Sequence, residues 1–476
     1  MKSALHSTIG PAILVGALMV SACTSKLAAA PAEPVLAIVG GTVIDGTGGP
    51  PRPGTTVLIQ GDRILSVGAT SVPRGAQVID ATGRTVMPGL IESNGHVTFS
   101  GQIDHAAYFA NRLDELHEVG VRNLGIALDQ GITTIRDTYG PLDVVLGLRD
   151  ASRDHRVRGS RLFVAGPIIN YVSVLDLPTE TSLDPVGEAK ARAQLDLFVS
   201  NGSEAAAAVR RLAAAGVDFI KISADTGPPW VPPELGEEDL RQAVREAHSL
   251  GLQTTSHTLR PSTLRHALDA GFDALEHPEL LRRDAEDDPL SDDLTPAVAS
   301  EISRRGIYSI PLIVAAEVYL DYWGDPALLE GSERVRGVPQ AMLDEARTSA
   351  QKQGADSQAM ADMRQFYDQA RANLATLIAA RAPIAMGTDK GTRYNFFESA
   401  NHVRELQIYV ELGMTPMEAL VSATRRGAEL LGMADRLGTL APGKLADVIV
   451  VDGDPLADLR ALHRVSTVVL NGKQVR

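Results

Sequence analysis

Short apolar segments alternate with helical stretches from about residue 88 to residue 430, and this alternation constrains the fold more than any other feature. Eight of the segments resemble β-strands, and spacings of about 20 to 45 residues between most of them are typical of βα units. Eight such units favour a (β/α)8 TIM barrel over an open sheet of six strands. The predicted strands are Val86–Ile91, Gly131–Arg136, Arg161–Val164, Phe219–Ile222, Gln253–His257, Ala274–His277, Tyr308–Ile313 and Ile384–Thr388.

The regions on either side of this central part alternate apolar and polar residues between turn sequences, which predicts short strands. We expect residues 35–87 and 433–476 to pair into one small β-sandwich beside a central barrel of residues 88–432. Two connections within the barrel are long, over residues 170–217 and 315–381. Long loops after barrel strands usually build or cover a site. The predicted fold class is therefore α/β, a barrel with a β-sandwich built from both termini.

The N-terminal residues predict export from the cytoplasm. Lys2 precedes an apolar run, Ile9–Val20, which is too short to span a bilayer and has the length of a signal-peptide core. The following Val-Ser-Ala-Cys sequence resembles a bacterial lipoprotein cleavage box, and its Cys23 is the only cysteine of the chain. We predict a signal peptide over residues 1–22, lipidation of Cys23 and a tether over residues 23–34.

This N-terminal pattern also predicts where in the cell the protein is located. A lipidated Cys23 would place the protein at the periplasmic face of a bacterial membrane, and Thr24 after the cysteine favours the outer membrane. The alternative is an ordinary signal peptide cut near Ala28–Ala30, which would give a secreted or periplasmic protein. The formal charge of −14 argues against a nucleic-acid or anionic-membrane surface. We expect a small-molecule substrate as the partner, and membrane contact only through the anchor. The sequence leaves open whether the chain forms a homo-oligomer.

Polar side chains close five of the eight predicted strands. In a parallel barrel the carboxyl ends of the strands open on one face, so these side chains should converge there. Three imidazoles, a lysine, a carboxylate and an amide together can form a metal site. The six residues are Asn94 and His96 on the first strand, Lys221 on the fourth, His257 on the fifth, His277 on the sixth and Asp389 on the eighth.

Each of these residues also has an ordinary explanation when taken alone. A histidine at a strand end is often only hydrogen-bonded, and an aspartate after Gly-Thr commonly caps a turn. A buried ammonium is costly, so Lys221 needs a partner, for which Asp225 is one candidate. His105 and His117, on the helical stretch after the first strand, are expected at the surface. The coincidence of six polar groups at strand ends favours the metal site.

Several further segments give the sequence a resemblance to a known family. They are Gly41–Gly48, Val86–Ile91, Gly131–Asp137, Glu276–His277, Gly387–Asp389, Gly413–Leu420 and Ala441–Asp447. In these segments the chain resembles the amidohydrolase superfamily of metal-dependent hydrolases, particularly its imidazolonepropionase-like and Xaa-Pro or Xaa-Arg dipeptidase-like branch. The resemblance covers nearly all of the chain after the predicted signal peptide. It implies a metal-dependent barrel with a β-sandwich from both termini.

The resemblance also implies roles for the six residues. All six fall on metal-ligand positions of the family. The lysine at the position of Lys221 is carboxylated in many members. Asp389 would move the proton from water to the leaving nitrogen. The family's first-strand pair is His-x-His, whereas this chain has Asn94-Gly95-His96. An amide is a weaker ligand than an imidazole for zinc, the expected metal. Three outcomes stay open: two ions with the first held weakly, one ion on Lys221, His257 and His277, or no active centre.

The predicted function is hydrolysis of an amide or peptide C–N bond in a dipeptide or N-acyl amino acid, by attack of a metal-activated water. The alternatives on the same site are a cyclic amidohydrolase, a lactonase or a deaminase. The alternative of another class is a surface-anchored binding barrel without catalysis. Tyr139 and Arg393, in loops after barrel strands, are candidate binders of a substrate carboxylate.

Overall fold

The computed structural model describes residues 34–225, 235–282, 294–331 and 333–476. Cys23 and the predicted signal peptide lie outside the described residues. The strands are β1 (Val35–Val43), β2 (Arg52–Gln60), β3 (Arg63–Val67), β4 (Gln77–Asp80), β5 (Thr85–Pro88), β6 (Leu90–Gly95), β7 (Ile132–Asp137), β8 (Arg161–Val164), β9 (Phe219–Ser223), β10 (Gln253–His257), β11 (Ala274–Glu276), β12 (Tyr308–Ile310), β13 (Val448–Val451), β14 (Val465–Leu470) and β15 (Lys473–Gln474).

The α-helices fill most of the space between the barrel strands. They are α1 (His105–Arg112), α2 (Leu116–Asp129), α3 (Leu142–Arg153), α4 (Pro185–Leu195), α5 (Gly202–Ala215), α6 (Glu237–Ser249), α7 (Pro261–Ala270), α8 (Pro296–Arg305), α9 (Ile313–Gly324), α10 (Gln340–Gly354), α11 (Ser357–Ala379), α12 (Asn401–Glu411), α13 (Pro416–Val421) and α14 (Gly427–Leu430). Within the part of the chain that the structure describes, no helix has both the length and the apolar character needed to cross a membrane.

Strands from the two ends of the described chain share one sheet. Its order is β15-β14-β13-β5-β1-β2-β3, and β4 pairs in parallel with β1. The two ends meet where β5 pairs antiparallel with β13, for example Val86 with Val450. The sheet has its own buried apolar cluster, which includes Ile38, Val57 and Val448. This is the β-rich part that the alternating pattern predicts.

The central strands form a ring of parallel neighbours. Strands β6, β7 and β8 pair in order, and so do β9, β10, β11 and β12. The eighth position is taken by residues 384–390, which join the ring through single bridges rather than as a continuous strand, so the predicted strand Ile384–Thr388 is only partly formed. Parallel bridges join the groups at Ile169 with Ile222, Ser309 with Ile384, and Gly95 with Lys390. The fold is thus a (β/α)8 barrel with a β-rich domain, as predicted from the sequence.

Two predicted strand boundaries are wrong. The predicted first barrel strand, Val86–Ile91, is divided between two sheets, because Val86 belongs to β5 and the barrel strand β6 begins at Leu90. The apolar run hides this boundary, since both strands are fully buried, and only the Pro88-Gly89 pair marks it. The predicted seventh strand, Tyr308–Ile313, ends at Ile310, and Ile313 begins α9.

Candidate active site at the barrel mouth

Lys221 lies two residues before the end of β9, and the other predicted site residues lie at or next to the carboxyl ends of the barrel strands, which we call the mouth. Two of them have a strained backbone. His277 has φ 40° and Asp389 has φ 58°, in the left-handed region that non-glycine residues rarely adopt. The backbone of His277 is held there by a hydrogen bond from its N–H to the carbonyl of Ile310 on the next strand. Backbone strain of this kind costs free energy and persists only where the surrounding structure holds the residue in place. Such residues cluster at functional sites.

His257 and His277 form a pair of neutral imidazoles. Nδ1 of His257 lies 2.9 Å from Nε2 of His277, and the ring centroids are 4.5 Å apart. Burial lowers the pKa of His277 to about 4 and holds the pKa of His257 well below its usual value, so both rings are uncharged at neutral pH. Nδ1 of His277 is buried without a hydrogen-bond partner among the described residues. Neutral imidazoles are the form that binds a metal ion.

Lys221 points its amine into the same region. The side chain is buried, and Nζ donates to Oγ1 of Thr138 at 3.2 Å. Burial lowers the pKa of the Lys221 amine, although the negative charges of Glu276 and Asp389 oppose this effect. The carboxylate of Asp225, the candidate partner, is instead bound by Arg260 and Thr263.

His96 and Asp389 form a second pair. Nε2 of His96 lies 2.9 Å from Oδ1 of Asp389, and the hydroxyl of Thr392 donates to the other carboxylate oxygen at 2.9 Å. Burial alone would raise the pKa of Asp389, but these hydrogen bonds and the nearby positive charges lower that pKa to about 2. Its side chain is 27% exposed, compared with 6% for His96, so the ionised carboxylate faces the open mouth.

Both polar atoms of the Asn94 side chain are already in use. Nδ2 donates to Oε2 of Glu276 at 2.8 Å, and Oδ1 accepts from the hydroxyl of Thr138 at 2.8 Å. Because Thr138 also accepts from Lys221, a continuous path of hydrogen bonds runs from Lys221 through Thr138 and Asn94 to Glu276. We call these four residues the Asn94 network. They hold the amide between the end of the second barrel strand, where Thr138 lies, and Glu276 on the sixth.

A buried arginine balances the charge of Glu276. Nη1 of Arg136 donates to Oε1 of Glu276 at 2.6 Å, and the same oxygen accepts from the hydroxyl of Thr255 at 2.7 Å. The side chains of Arg136 and Glu276 are 3% and 0% exposed. This pair was not predicted from the sequence as part of the site. A signal was present, since a charged residue inside an apolar strand requires a buried partner.

The two candidate substrate binders occupy different positions. Tyr139 is buried, its ring packs 5.7 Å from the ring of Tyr171, and its carbonyl lies 3.2 Å from Nδ1 of His96. Tyr171 in turn packs against His257, with ring centroids 4.8 Å apart. Arg393 is partly buried in the loop after Asp389. Tyr139 therefore lines the wall behind the site, and Arg393 lies at its rim.

The donor chemistry fits a divalent ion on one side of the mouth. Within the described parts of the chain, no three His, Cys, Asp or Glu side chains form a group that could hold a metal ion by themselves. At the mouth these residue types form two pairs, His257–His277 and His96–Asp389. A third donor beside His257 and His277 has to come from Lys221. Two nitrogens bound to one tetrahedral zinc ion at 2.0–2.1 Å lie about 3.3 Å apart, so the observed separation of 2.9 Å would have to widen by about 0.4 Å on binding. The orphaned Nδ1 of His277 is left for a further partner.

Comparison with known proteins identifies the class. Residues 85–475 match the model of the Amidohydrolase family. The chain therefore belongs to the amidohydrolase family, whose members are hydrolases acting on carbon–nitrogen bonds and are generally metal-dependent. This confirms the family that the sequence resembles.

Individual relatives cover nearly the whole chain. An imidazolonepropionase from Anaeromyxobacter dehalogenans is 28% identical over 442 residues, covering 89% of this chain and 90% of the relative. An N-acyl-D-glutamate deacylase from Alcaligenes xylosoxydans xylosoxydans is 24% identical over 481 residues, covering 89% and 88%. A Xaa-Pro dipeptidase crystallised with methionine in its active site has a TM-score of 0.71 and 23% identity, covering 93% of this chain and all of the other. This last likeness supports the fold.

Proposed function

We propose that the protein is a metal-dependent hydrolase that cleaves the amide or peptide bond of a small substrate, either a dipeptide or an N-acyl amino acid. The observation that carries the proposal is the neutral His257–His277 pair beside the buried Lys221, with the ionised Asp389 at the same mouth. The deacylase and dipeptidase among the similar proteins support the same reaction class.

The protein's own residues then have distinct tasks. Lys221, His257 and His277 would hold a divalent ion, most simply zinc, and the ion would supply an activated water and a polarised carbonyl. Asp389 is ionised at neutral pH, so its carboxylate can accept the proton of the water and return it to the leaving nitrogen. His96 orients that carboxylate. The lowered pKa of Lys221 favours the neutral amine, which is the form that can be carboxylated.

The hydrogen bonds of Asn94 favour the arrangement with one ion over two. The side-chain oxygen Oδ1 and the amide nitrogen Nδ2 are both held within the Asn94 network, so neither is directed at the His96–Asp389 pair. Replacing Asn94 by histidine should supply an imidazole and raise the metal-to-protein ratio from about one toward two. Elemental analysis after dialysis in the presence of zinc measures this ratio. The exposed Asn111→His is the matched control, and an unchanged ratio in Asn94→His would contradict the prediction.

Elemental analysis of the purified protein, paired with a screen of dipeptides and N-acyl amino acids, tests the proposed function. We expect a stoichiometric ion and release of an amino acid. Release of ammonia would identify a deaminase instead, and turnover of only cyclic amides or lactones would identify the corresponding alternatives. A binding barrel would show neither turnover nor a stoichiometric ion.

We also propose that Cys23 anchors the protein at the periplasmic face of the outer membrane. The support is the sequence before it, an apolar signal-peptide core followed by a lipoprotein-type cleavage box. Cys23→Ser should release the protein into the soluble periplasmic fraction, because one lipid-bearing residue supplies the whole attachment. Fractionation followed by immunoblotting measures this, with Ser25→Ala as control. Membrane retention of Cys23→Ser would refute the anchor.

A further inference from the structure

Arg393 is a partly buried arginine whose guanidinium has no hydrogen-bond or ion-pair partner in the part of the chain that the structure describes. Two other partly buried arginines of the barrel have ion-pair partners. Arg260 binds Asp225, and Arg404 binds Glu317. Removing a guanidinium from water without a partner costs free energy, so an unpaired one at the rim of a site calls for an acceptor from outside the chain.

The loop that carries Arg393 is fixed on both sides. Before it, Thr392 donates through its hydroxyl to the carboxylate of Asp389 at 2.9 Å. After it, the ring of Tyr394 packs 5.2 Å from the ring of Tyr319 on α9, and the backbone N–H of Tyr394 donates to Gly101 at 3.2 Å. The guanidinium is therefore carried between the catalytic carboxylate and the loop after the seventh strand.

Three further polar groups surround the same part of the mouth. Nε2 of His105 is buried without a described partner, and its ring packs on Phe99 at 5.4 Å. His105 is thus buried, contrary to the surface position expected from the sequence. The hydroxyls of Tyr171 and Tyr319 make no hydrogen bond to any described residue. Burial lowers the pKa of His105 to about 3 and raises the pKa of both tyrosines to about 12, and the charge of Arg393 acts on all three.

These groups form a set of donors for an anion. A guanidinium supplies a planar fork that matches a carboxylate, and uncharged tyrosines add hydroxyl donors. The acidic group in the same loop, Asp389, is already bound by His96 and Thr392, so it leaves the Arg393 charge unbalanced. Arg282 adds a second cation at the rim, where its guanidinium packs over Phe366 at 4.9 Å.

The position of Arg393 beside Asp389 determines which end of the substrate meets it. Under the proposed function Asp389 delivers a proton to the leaving nitrogen, so the loop that follows Asp389 lies on the side of the released amine. We infer that Arg393 binds a carboxylate on that amine, and that the substrate class is amino acids acylated at nitrogen, including the C-terminal residue of a dipeptide. This inference rests on the proposed function. It excludes substrates whose only carboxylate is on the acyl side.

Paired substrates test this assignment. The probes are the N-acetyl derivatives of leucine, methionine and phenylalanine in both configurations, the matching carboxamides, and N-succinyl amines with a carboxylate only on the acyl side. Binding to the zinc-loaded full chain is measured by calorimetry, and hydrolysis by release of the amine. We expect at least one acid to bind about 10- to 100-fold more tightly than its carboxamide, as a charge-assisted hydrogen-bond pair provides.

The variants separate the subsite from the catalytic centre. Arg393→Met should remove the preference for the acid over its carboxamide and leave binding of the carboxamide unchanged. Arg393→Lys should retain part of that preference. Arg153→Met, at an exposed arginine, should change neither affinity. Equal binding of acids and carboxamides, a preference that survives Arg393→Met, or an Arg393-dependent preference for the N-succinyl amines would overturn the inference. Arg393-dependent binding of acids without turnover would refute only the proposed function. Equal turnover of acids and carboxamides would support the proposed hydrolysis and contradict the carboxylate subsite at Arg393.

Discussion

Replacing His277 by alanine should lower kcat/KM for any hydrolysed dipeptide or N-acyl amino acid by about a thousand-fold or more and reduce the bound metal. The change removes Nε2, which lies 2.9 Å from Nδ1 of His257 and completes the pair of neutral imidazoles. Activity is measured on the substrate found in the screen, and metal content by elemental analysis. His277→Asn provides a second variant, because asparagine tolerates the left-handed backbone that His277 adopts at φ 40°.

His117→Ala is the matched control for this experiment. His117 is exposed on α2, so its loss should leave activity and metal content unchanged. Circular dichroism of each variant separates loss of the centre from loss of the fold. If His277→Ala kept both its turnover and its metal, the assignment of the catalytic centre would be wrong.

The second large effect is on stability. Arg136→Met should lower the free energy of unfolding by roughly 3–5 kcal/mol, because it leaves the carboxylate of Glu276 buried without its cation. Urea denaturation followed by circular dichroism measures the loss. The methionine retains most of the volume of the side chain, which packs with its guanidinium carbon 3.9 Å from the ring centroid of Phe219.

A double variant isolates the charge. Adding Glu276→Gln to Arg136→Met removes both charges. The glutamine oxygen still accepts from Nδ2 of Asn94 and its NH2 group can donate to the hydroxyl of Thr255, so the double variant should recover most of the lost stability. Arg153→Met on the surface of α3 should change the stability by less than about 0.5 kcal/mol. A loss below about 1 kcal/mol in Arg136→Met would mean that Glu276 does not depend on this arginine.

The barrel could be predicted because its signal is local and repeated. Each strand is an apolar segment closed by a polar residue, and eight repeats leave few alternative folds. The boundary at Pro88 and Gly89 was missed because β5 and β6 are both buried, so the apolar pattern continues across the change of sheet. Periodicity reports burial, and it does not report which sheet buries a strand.

The sequence was enough to predict which residues at the strand ends form the candidate site. It was not enough to predict the hydrogen bonds and ion pairs that connect them. Arg136 and Glu276 are 140 residues apart in the sequence, and each is recognisable only as a charge within a strand. Their pairing depends on both side chains pointing inward at the same level of the barrel. The partner of Lys221 proved to be Thr138, just after the second barrel strand, rather than the sequence neighbour Asp225. The direction of the Asn94 amide follows from these contacts and could not be deduced from Asn94-Gly95-His96 alone.

The pairing of β5 with β13 has a consequence for how the chain matures. Val86 meets Val450, so the sheet beside the barrel cannot be completed until the last part of the chain has emerged from the ribosome. Until then one edge of β5 lacks its neighbour, and unpaired edges promote association between chains. A chain shortened before Val448 would keep that edge open permanently. Such a truncated product should accumulate as aggregates, even though every barrel strand is present.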